Sequence, residues 1–322
     1  MPSLYAPPLS SLQQLQGRIA LALGVFDGVH RGHQAVLSTL LREAKAREAT
    51  PVALFFDPPP RQLLFPQDAP KLLTSLPAKV RLLRQAGMEE VVCLPFTRAL
   101  SRLTPREFWE EWILANPALQ IPLLCVGEDW RFGAGNQGTL ETLRCLAKEQ
   151  DIQVTGVPPL LCRGQRISST RVRTAIAQGD LTLARELLGR PFTLEGEILH
   201  GQGKATQALD CPTANLEGES LQLPPPGVYA AWARPQDTTS PLAGILYIGE
   251  APTFRGEGNG HPLVELHLFD FQGDLYGKSV SITPAAFLRG SLLFPSPQHL
   301  ARQIQEDIRQ ARKILQEDPA RP

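Results

Sequence analysis

The chain has 322 residues, past the roughly 250–300 at which a single hydrophobic core stops growing, so two domains are expected. It is 43% hydrophobic and 20% charged, close to the average of a soluble globular protein, so long disordered tracts are not expected. Lys plus Arg and Asp plus Glu both total 32, so the net charge is zero; no global field draws the protein to nucleic acid or to a membrane, and an anion site has to be built locally.

The opening, Met1 to Pro8, has no basic stretch ahead of an apolar one, and the apolar run Ile19 to Val25 is far too short to span a bilayer, so a cytoplasmic protein is expected. Arg18 to Leu23 reads as a buried strand, a glycine loop follows from Gly24 to Gly32, and Ala35, Val36, Leu40, Leu41 and Ala44 then recur at helical spacing. Strands are predicted at Pro51 to Phe56, Val91 to Leu94, Ile121 to Val126 and Ile152 to Val157, and a helix at Ala78 to Ala86. Another helix opens at Thr104-Pro105-Arg106-Glu107, with a hydroxyl to cap it, proline at its first position and glutamate at its third. This alternation predicts an α/β fold with a doubly wound, mostly parallel sheet, which binds ligands beyond the carboxyl ends of its strands.

Two short helices, Thr170 to Ala177 and Leu181 to Leu188, lead to a boundary near Gly189 and hence to domains at 1–188 and 189–322. Beyond it, Leu194 to Leu199, Val228 to Ala233, Ala243 to Ile248, Val264 to Phe269 and Lys278 to Ile282 alternate in polarity between Gly and Pro, the pattern of an antiparallel β-barrel. Pro297 to Gln316 has helical periodicity and is expected to close on the barrel. Cys93, Cys125, Cys145, Cys162 and Cys211 show no C-x-x-C spacing, which argues against a disulfide framework or a zinc site; they are expected to be small buried apolar residues.

A loop between a buried strand and a helix start offers backbone N–H groups and the positive end of the helix dipole to an anion. Gly24, Gly28 and Gly32 would let a phosphate approach the backbone, and His30 and His33 would donate to it from their imidazoles. For one histidine alone the alternative is a helix cap or a solvated side chain, with the glycines making a tight turn. A second segment, Ser168-Ser169-Thr170-Arg171-Val172-Arg173, places three hydroxyls and two arginines at a helix start. Capping accounts for the hydroxyls; cations there oppose the dipole unless an anion lies between.

The pattern Gly24-x-Phe26-Asp27-Gly28-x-His30-x-Gly32-His33 with Ile167-Ser168-Ser169-Thr170-x-x-Arg173 resembles the nucleotidyltransferase module of the bacterial bifunctional riboflavin kinase/FAD synthetase family. Phe56-Asp57-Pro58-Pro59-Pro60-Arg61, Leu73-Thr74-Ser75 with Lys79, and Val126-Gly127-Glu128-Asp129-Trp130-Arg131-Phe132-Gly133 fit the same family in order. The resemblance implies that His30 and His33 contact ATP phosphates, that Ser168, Ser169 and Arg173 contact the outer phosphates, that Gly24, Phe26, Asp27, Gly28, Gly32 and Thr170 bind nucleotide, that Asp129 with its neighbours forms the nucleotide or flavin pocket, and that Asp57 and Phe132 bind flavin with it. The sequence departs at Val25, where asparagine is more usual, and at Pro59, where histidine is.

In the barrel half, Pro212-Thr213-Ala214-Asn215, Gly227-Val228-Tyr229 and Val264-Glu265-Leu266-His267 resemble the riboflavin kinase module of that family. The resemblance implies that Thr213 and Asn215 hold Mg²⁺, that Lys204 binds nucleotide and that Glu265 is the base. Alternation on the strand puts Glu265 and His267 opposite Val264, Leu266 and Leu268, which unaided reads as a solvated sheet face. Asp210 stands where the family has glycine, and Lys204 where it has arginine. Gly273 to Ser279 has one residue too few for a P-loop and lies in hairpin-like sequence. The leading expectation is an enzyme making FMN from riboflavin and FAD from FMN, with Mg²⁺ and ATP, and with no nucleic-acid or membrane partner. Two other readings fit the same residues: an FAD synthetase whose barrel binds flavin without catalysis, and a non-catalytic flavin sensor or nucleic-acid binder. Oligomeric state is not legible.

Overall fold

A computed structural model describes residues 11–199, 214–216, 221–236, 238, 240–250, 262–271, 273 and 275–318. The chain divides into two compact units, Met1–Lys71 with Leu76–Ser169, and Leu72–Ser75 with Thr170–Pro322.

The first unit holds a parallel sheet of β1 (Gly17–Leu23), β2 (Thr50–Asp57), β3 (Glu90–Pro95), β4 (Leu119–Gly127) and β5 (Gln153–Val157), in the order β3-β2-β1-β4-β5. The chain works outward from β1 to β3 and then returns to lay β4 on the other side of β1, so a topological switch point lies between β1 and β4. Alternation along β1 sends Ala20 and Ala22 to one face and Ile19, Leu21 and Leu23 to the other. On the alanine face pack α1 (Arg31–Ala46) and, beyond the short α2 (Pro60–Leu64), α3 (Leu76–Gln85), through Val36, Leu37, Leu40, Val80 and Leu83. The opposite face is covered by α4 (Pro105–Phe108), the π-helical turn Trp109–Ile113 and α5 (Leu140–Lys148). The expected cap of α4 is present in full: Thr104 Oγ1 accepts from the Glu107 N–H at 3.2 Å, and Glu107 Oε2 accepts from the Thr104 N–H at 2.7 Å. A two-stranded hairpin, β6 (Leu161–Cys162) and β7 (Gln165–Arg166), precedes α6 (Ser169–Ala177); from Thr170 onward the residues, including α7 (Leu181–Leu188), belong to the second unit.

Cys125 and Cys162 are buried and Cys93 partly so, but Cys145 is exposed, against expectation. The cause is its place on α5, which turns Leu143, Leu146 and Ala147 inward and so leaves position 145 on the outer side. Cys211 lies outside the described residues.

In the second unit β8 (Leu194–Leu199), β9 (Ala214–Leu216), β10 (Gly227–Pro235), β11 (Leu242–Glu250), β12 (Pro262–Leu268) and β13 (Ser279–Arg289) close an antiparallel barrel in the order β10-β11-β12-β9-β8-β13. Closure removes the open edges that a six-stranded sheet would otherwise expose. The expected closing helix, α8 (Pro297–Glu317), packs Ala311 and Leu315 against Val228, Ala230, Trp232 and Ile245. Arg289, at the end of β13, donates through Nε and Nη2 to the buried Asp307 of α8. The P-loop-like segment joins β12 to β13; these strands are not paired with each other, so it is a crossing connection and not a hairpin. Among the described residues, no helix is long and apolar enough to cross a membrane.

Candidate active sites

The loop after β1 leaves the sheet at the switch point and holds Phe26, Gly28 and Val29 at φ of 51°, 80° and 38°. Side chains tolerate that region only when their surroundings enforce it, and here Phe26 and Val29 are driven into the core, 1% and 2% exposed. Two of the three glycines serve this packing. A Cβ on Gly24 would stand 2.9 Å from the Phe26 ring, and one on Gly32 would stand 3.1 Å from the His30 ring. Only Gly28 is required by its own backbone. Room for rings thus explains Gly24 and Gly32, and backbone conformation explains Gly28.

His30 caps α1: its Nδ1 accepts the backbone N–H of His33 at 3.2 Å. That bond leaves the proton of a neutral His30 on Nε2, so capping and donation to an anion are two edges of one ring and not competing roles. The two imidazoles stack at 3.7 Å with an interplanar angle of 13°, and Phe26 meets His33 edge-on at 5.4 Å. Burial, reinforced by His30 and then Lys79, holds the His33 pKa well below its usual value. His33 Nδ1 is enclosed and has no hydrogen-bond partner among the described residues.

The hydroxyl segment reaches this loop through Ser169, whose Oγ donates to the Asp27 carbonyl at 3.0 Å. Ser168 immediately precedes α6, while Thr170 is exposed and Arg173 half-buried in its first two turns. Asp27 itself is 2% exposed. Across the switch point, Asp129 follows β4 and is ion-paired with Arg166 of β7. Sequence reasoning missed Arg166, which lies 37 residues away along the chain. Both side chains are about half exposed, 52% for Asp129 and 49% for Arg166, so the pair contributes only about 0.2–1 kcal/mol.

Phe132 is buried among aromatic rings. It is 5% exposed, packed on Phe108 and stacked at 4.7 Å on Trp130, which borders solvent in its place. Asp57 closes β2, half-buried. Beside it Lys79 of α3 is 2% exposed, with Nζ 4.8 Å above the Phe55 ring. Burial lowers its pKa against the opposing pull of Asp27, Asp57 and Cys93.

On β12, Val264, Leu266 and Leu268 are buried while Glu265 and His267 stay half-exposed, as alternation requires. Register places Glu265 opposite Asn215 of β9 on one side and Tyr247 of β11 on the other, which unites two of the expected kinase residues across one ladder. Burial pushes the Glu265 carboxyl above the usual carboxylate range. Lys204, Thr213 and Asp210 lie outside the described residues. Among the described residues, no group of three or more His, Cys, Asp or Glu side chains could hold a metal ion.

Comparison with known proteins matches both halves. Residues 12–171 match the FAD synthetase family, and residues 188–315 the riboflavin kinase family. A bifunctional riboflavin kinase/FMN adenylyltransferase from Escherichia coli K12 is 35% identical over 303 residues, covering 94% of this chain and 95% of that protein. The similarly named protein of Pseudomonas fluorescens is 36% identical over 91% of each chain, and that of Bacillus subtilis 32% identical over 94% of this chain and 95% of its own. A crystal structure of a Streptococcus pneumoniae protein described as a macrolide-efflux protein superposes with a TM-score of 0.78, at 28% identity, over 94% of this chain and 96% of that one.

Proposed function

The chain belongs to the bifunctional riboflavin kinase/FMN adenylyltransferase family, and we propose how its residues divide the two reactions. It is a transferase that phosphorylates riboflavin to FMN and adenylylates FMN to FAD, each with ATP. We assign adenylylation to residues 1–188 and phosphorylation to 189–322, a division supported by the two family matches.

In the first reaction a phosphate oxygen of FMN attacks the α-phosphorus of ATP, and pyrophosphate leaves with the electron pair of the broken P–O bond. Charge accumulates on phosphate oxygens, so positioned donors supply most of the catalysis. The Nε2–H groups of His30 and His33 are the donors in this reading, on a loop formed by Gly24, Phe26, Asp27, Gly28 and Gly32. Ser168, Ser169, Thr170 and Arg173 hold the outer phosphates; Asp57, Asp129 and Phe132 belong to the flavin side, with Trp130 as the aromatic nearer solvent. The observation that carries this half is the pair of stacked imidazoles, with His33 held neutral, at the N-terminus of α1.

In the second reaction Glu265 takes the proton of the terminal ribityl hydroxyl as its oxygen attacks the γ-phosphorus, and ADP leaves. A carboxylate with a raised pKa is a better proton acceptor than an ordinary one. Thr213 and Asn215 would hold Mg²⁺, and Lys204 would bind nucleotide; few protein oxygens beside substrate phosphates suit that ion. Mg²⁺ would neutralise phosphate charge. We place both reactions in the cytoplasm, with small-molecule partners and no nucleic acid or membrane.

The test is to give the full chain FMN, ATP and Mg²⁺, and separately riboflavin, ATP and Mg²⁺. FAD with equimolar pyrophosphate is expected in the first mixture, and FMN followed by FAD in the second. FAD from FMN without any FMN from riboflavin would reduce the barrel to a flavin-binding domain.

A further inference from the structure

With His30 capping α1, Val29 is the residue just before the cap and Gln34 the fourth residue of the helix. Apolar side chains at these two places often pack on each other and fix the angle at which a chain enters its helix. Here the link is polar: the Gln34 side chain donates through Nε2 to the Val29 carbonyl at 2.9 Å. The Gln34 backbone N–H donates to the His30 carbonyl at 3.0 Å. The Val29 carbonyl belongs to the peptide group before His30 and the His30 carbonyl to the one after it. Gln34 therefore grips both peptide groups that flank the His30 Cα.

The first of these grips falls where the backbone resists it. Val29 stands at φ 38°, a region that a β-branched side chain enters only when its surroundings enforce it. Three contacts do so. Its side chain is 2% exposed, its N–H donates to the Phe26 carbonyl at 3.2 Å, and its carbonyl is taken by Gln34. The Asp27 carbonyl accepts from Ser169 Oγ at 3.0 Å. The carbonyls of Phe26, Asp27 and Val29 thus each meet a donor of the protein, as a loop facing phosphate requires, because a carbonyl oxygen turned to the anion would repel it.

We propose that Gln34 is a positioning residue for adenylyl transfer: its side-chain amide holds the Val29 peptide in the left-handed setting and, through it, the direction in which His30 presents Nε2–H. The His30 ring is fixed at its other edge by the cap, where Nδ1 accepts the His33 N–H at 3.2 Å. The cap sets the rotation of the ring, and Gln34 sets the backbone from which the ring projects. Removing the amide lets Val29 relax towards negative φ and carries the imidazole away from the developing phosphate charge. The catalytic part of this inference rests on the adenylyltransferase reading of the first unit; the part that concerns the loop does not.

The pair Val-His occurs once in the sequence, at Val29-His30. A full chain labelled with carbon-13 at the valine carbonyls and nitrogen-15 at the histidines therefore gives one coupled amide signal, that of the peptide Gln34 grips. Wild type is compared with Gln34→Met, which has the length without the amide, and with Gln34→Asn, which has the amide but is one methylene shorter. Steady-state FAD formation from FMN is measured on the same samples. In both variants the Val29–His30 signal is expected to move, and kcat for FAD formation to fall about tenfold to 100-fold, the scale of a small misplacement of a catalytic group. KM for ATP and FMN moves less, because the lost interaction matters only in the transition state. Total FMN and FAD made from riboflavin stays at the wild-type rate and reports that the chain is folded. A wild-type kcat in Q34M overturns the proposal, and so does a Val29–His30 signal that stays in place. A raised KM at unchanged kcat overturns it as well, by assigning Gln34 to substrate binding. Should Q34M not fold, the same outcomes in Q34N decide. Wild type that makes no FAD refutes the adenylyltransferase reading, and the amide signal still decides whether Gln34 holds the loop.

Discussion

His30 Nδ1 accepts the backbone N–H of His33 at 3.2 Å, so one histidine caps the helix that carries the other, and their rings stack at 3.7 Å. The cap and the donor are opposite edges of the same imidazole, and a substitution can separate them.

Asparagine is among the best helix caps and has no imidazole Nε2–H. His30→Asn is therefore expected to keep thermal stability close to wild type while FAD formation falls about 100-fold or more, the usual cost of losing a donor to a charged transition state. His30→Ala loses the cap as well, about 0.5–2 kcal/mol of stability. Thermal unfolding and FMN-to-FAD turnover on the two variants check this; equal turnover by His30→Asn and wild type would assign His30 to capping alone.

How much of this site could be read in advance depended on distance along the chain. The strand, loop and helix around His30 are local: a buried run, closely spaced glycines and apolar residues at helical spacing. The Thr104–Glu107 cap was equally legible, because both partners lie within one turn. The purpose of Gly24 and Gly32 was not, since it depends on where the rings of Phe26 and His30 fall in three dimensions. Lys79 gave no sign of its burial; a lysine in a helix normally faces water, and this one, 2% exposed, lies over the Phe55 ring of β2. The Asp129–Arg166 pair brings together residues 37 positions apart, and no local pattern marks it. In the barrel, alternation on β12 predicted which residues face out, but the pairing of Glu265 with Asn215 is a matter of register between strands far apart in sequence.

Burial raises the Glu265 carboxyl pKa, so the folded barrel favours the protonated acid. The stability due to that proton is complete below the ordinary carboxylate range and is lost as pH rises through the raised folded value. Glu265→Gln removes the loss. The variant is expected to melt at a higher temperature than wild type at neutral pH, to approach it in acid, and to make no FMN. A lower melting temperature at neutral pH would mean that the carboxylate is stabilised by a partner in the fold.

Arg289 and Asp307 join β13 to α8 through bonds of 2.7–3.0 Å, and Asp307 is 2% exposed. Arg289→Met leaves that carboxylate enclosed with, among the described residues, only Gln303 to hold it, a loss of about 3–5 kcal/mol. Riboflavin phosphorylation is expected to fail at a temperature where FMN adenylylation continues. Asp307→Leu added to Arg289→Met should restore most of the stability, because no charge is then left buried. Denaturant unfolding of the single and double variants measures both effects.

The central claim is that the two reactions have separate residues, with adenylyl transfer on the histidine pair. Its most direct test is the folded His30→Ala/His33→Ala chain supplied with riboflavin, ATP and Mg²⁺, with both flavin products followed over time. FMN accumulating at the wild-type rate with almost no FAD is the predicted result. FAD formed at the wild-type rate would contradict it.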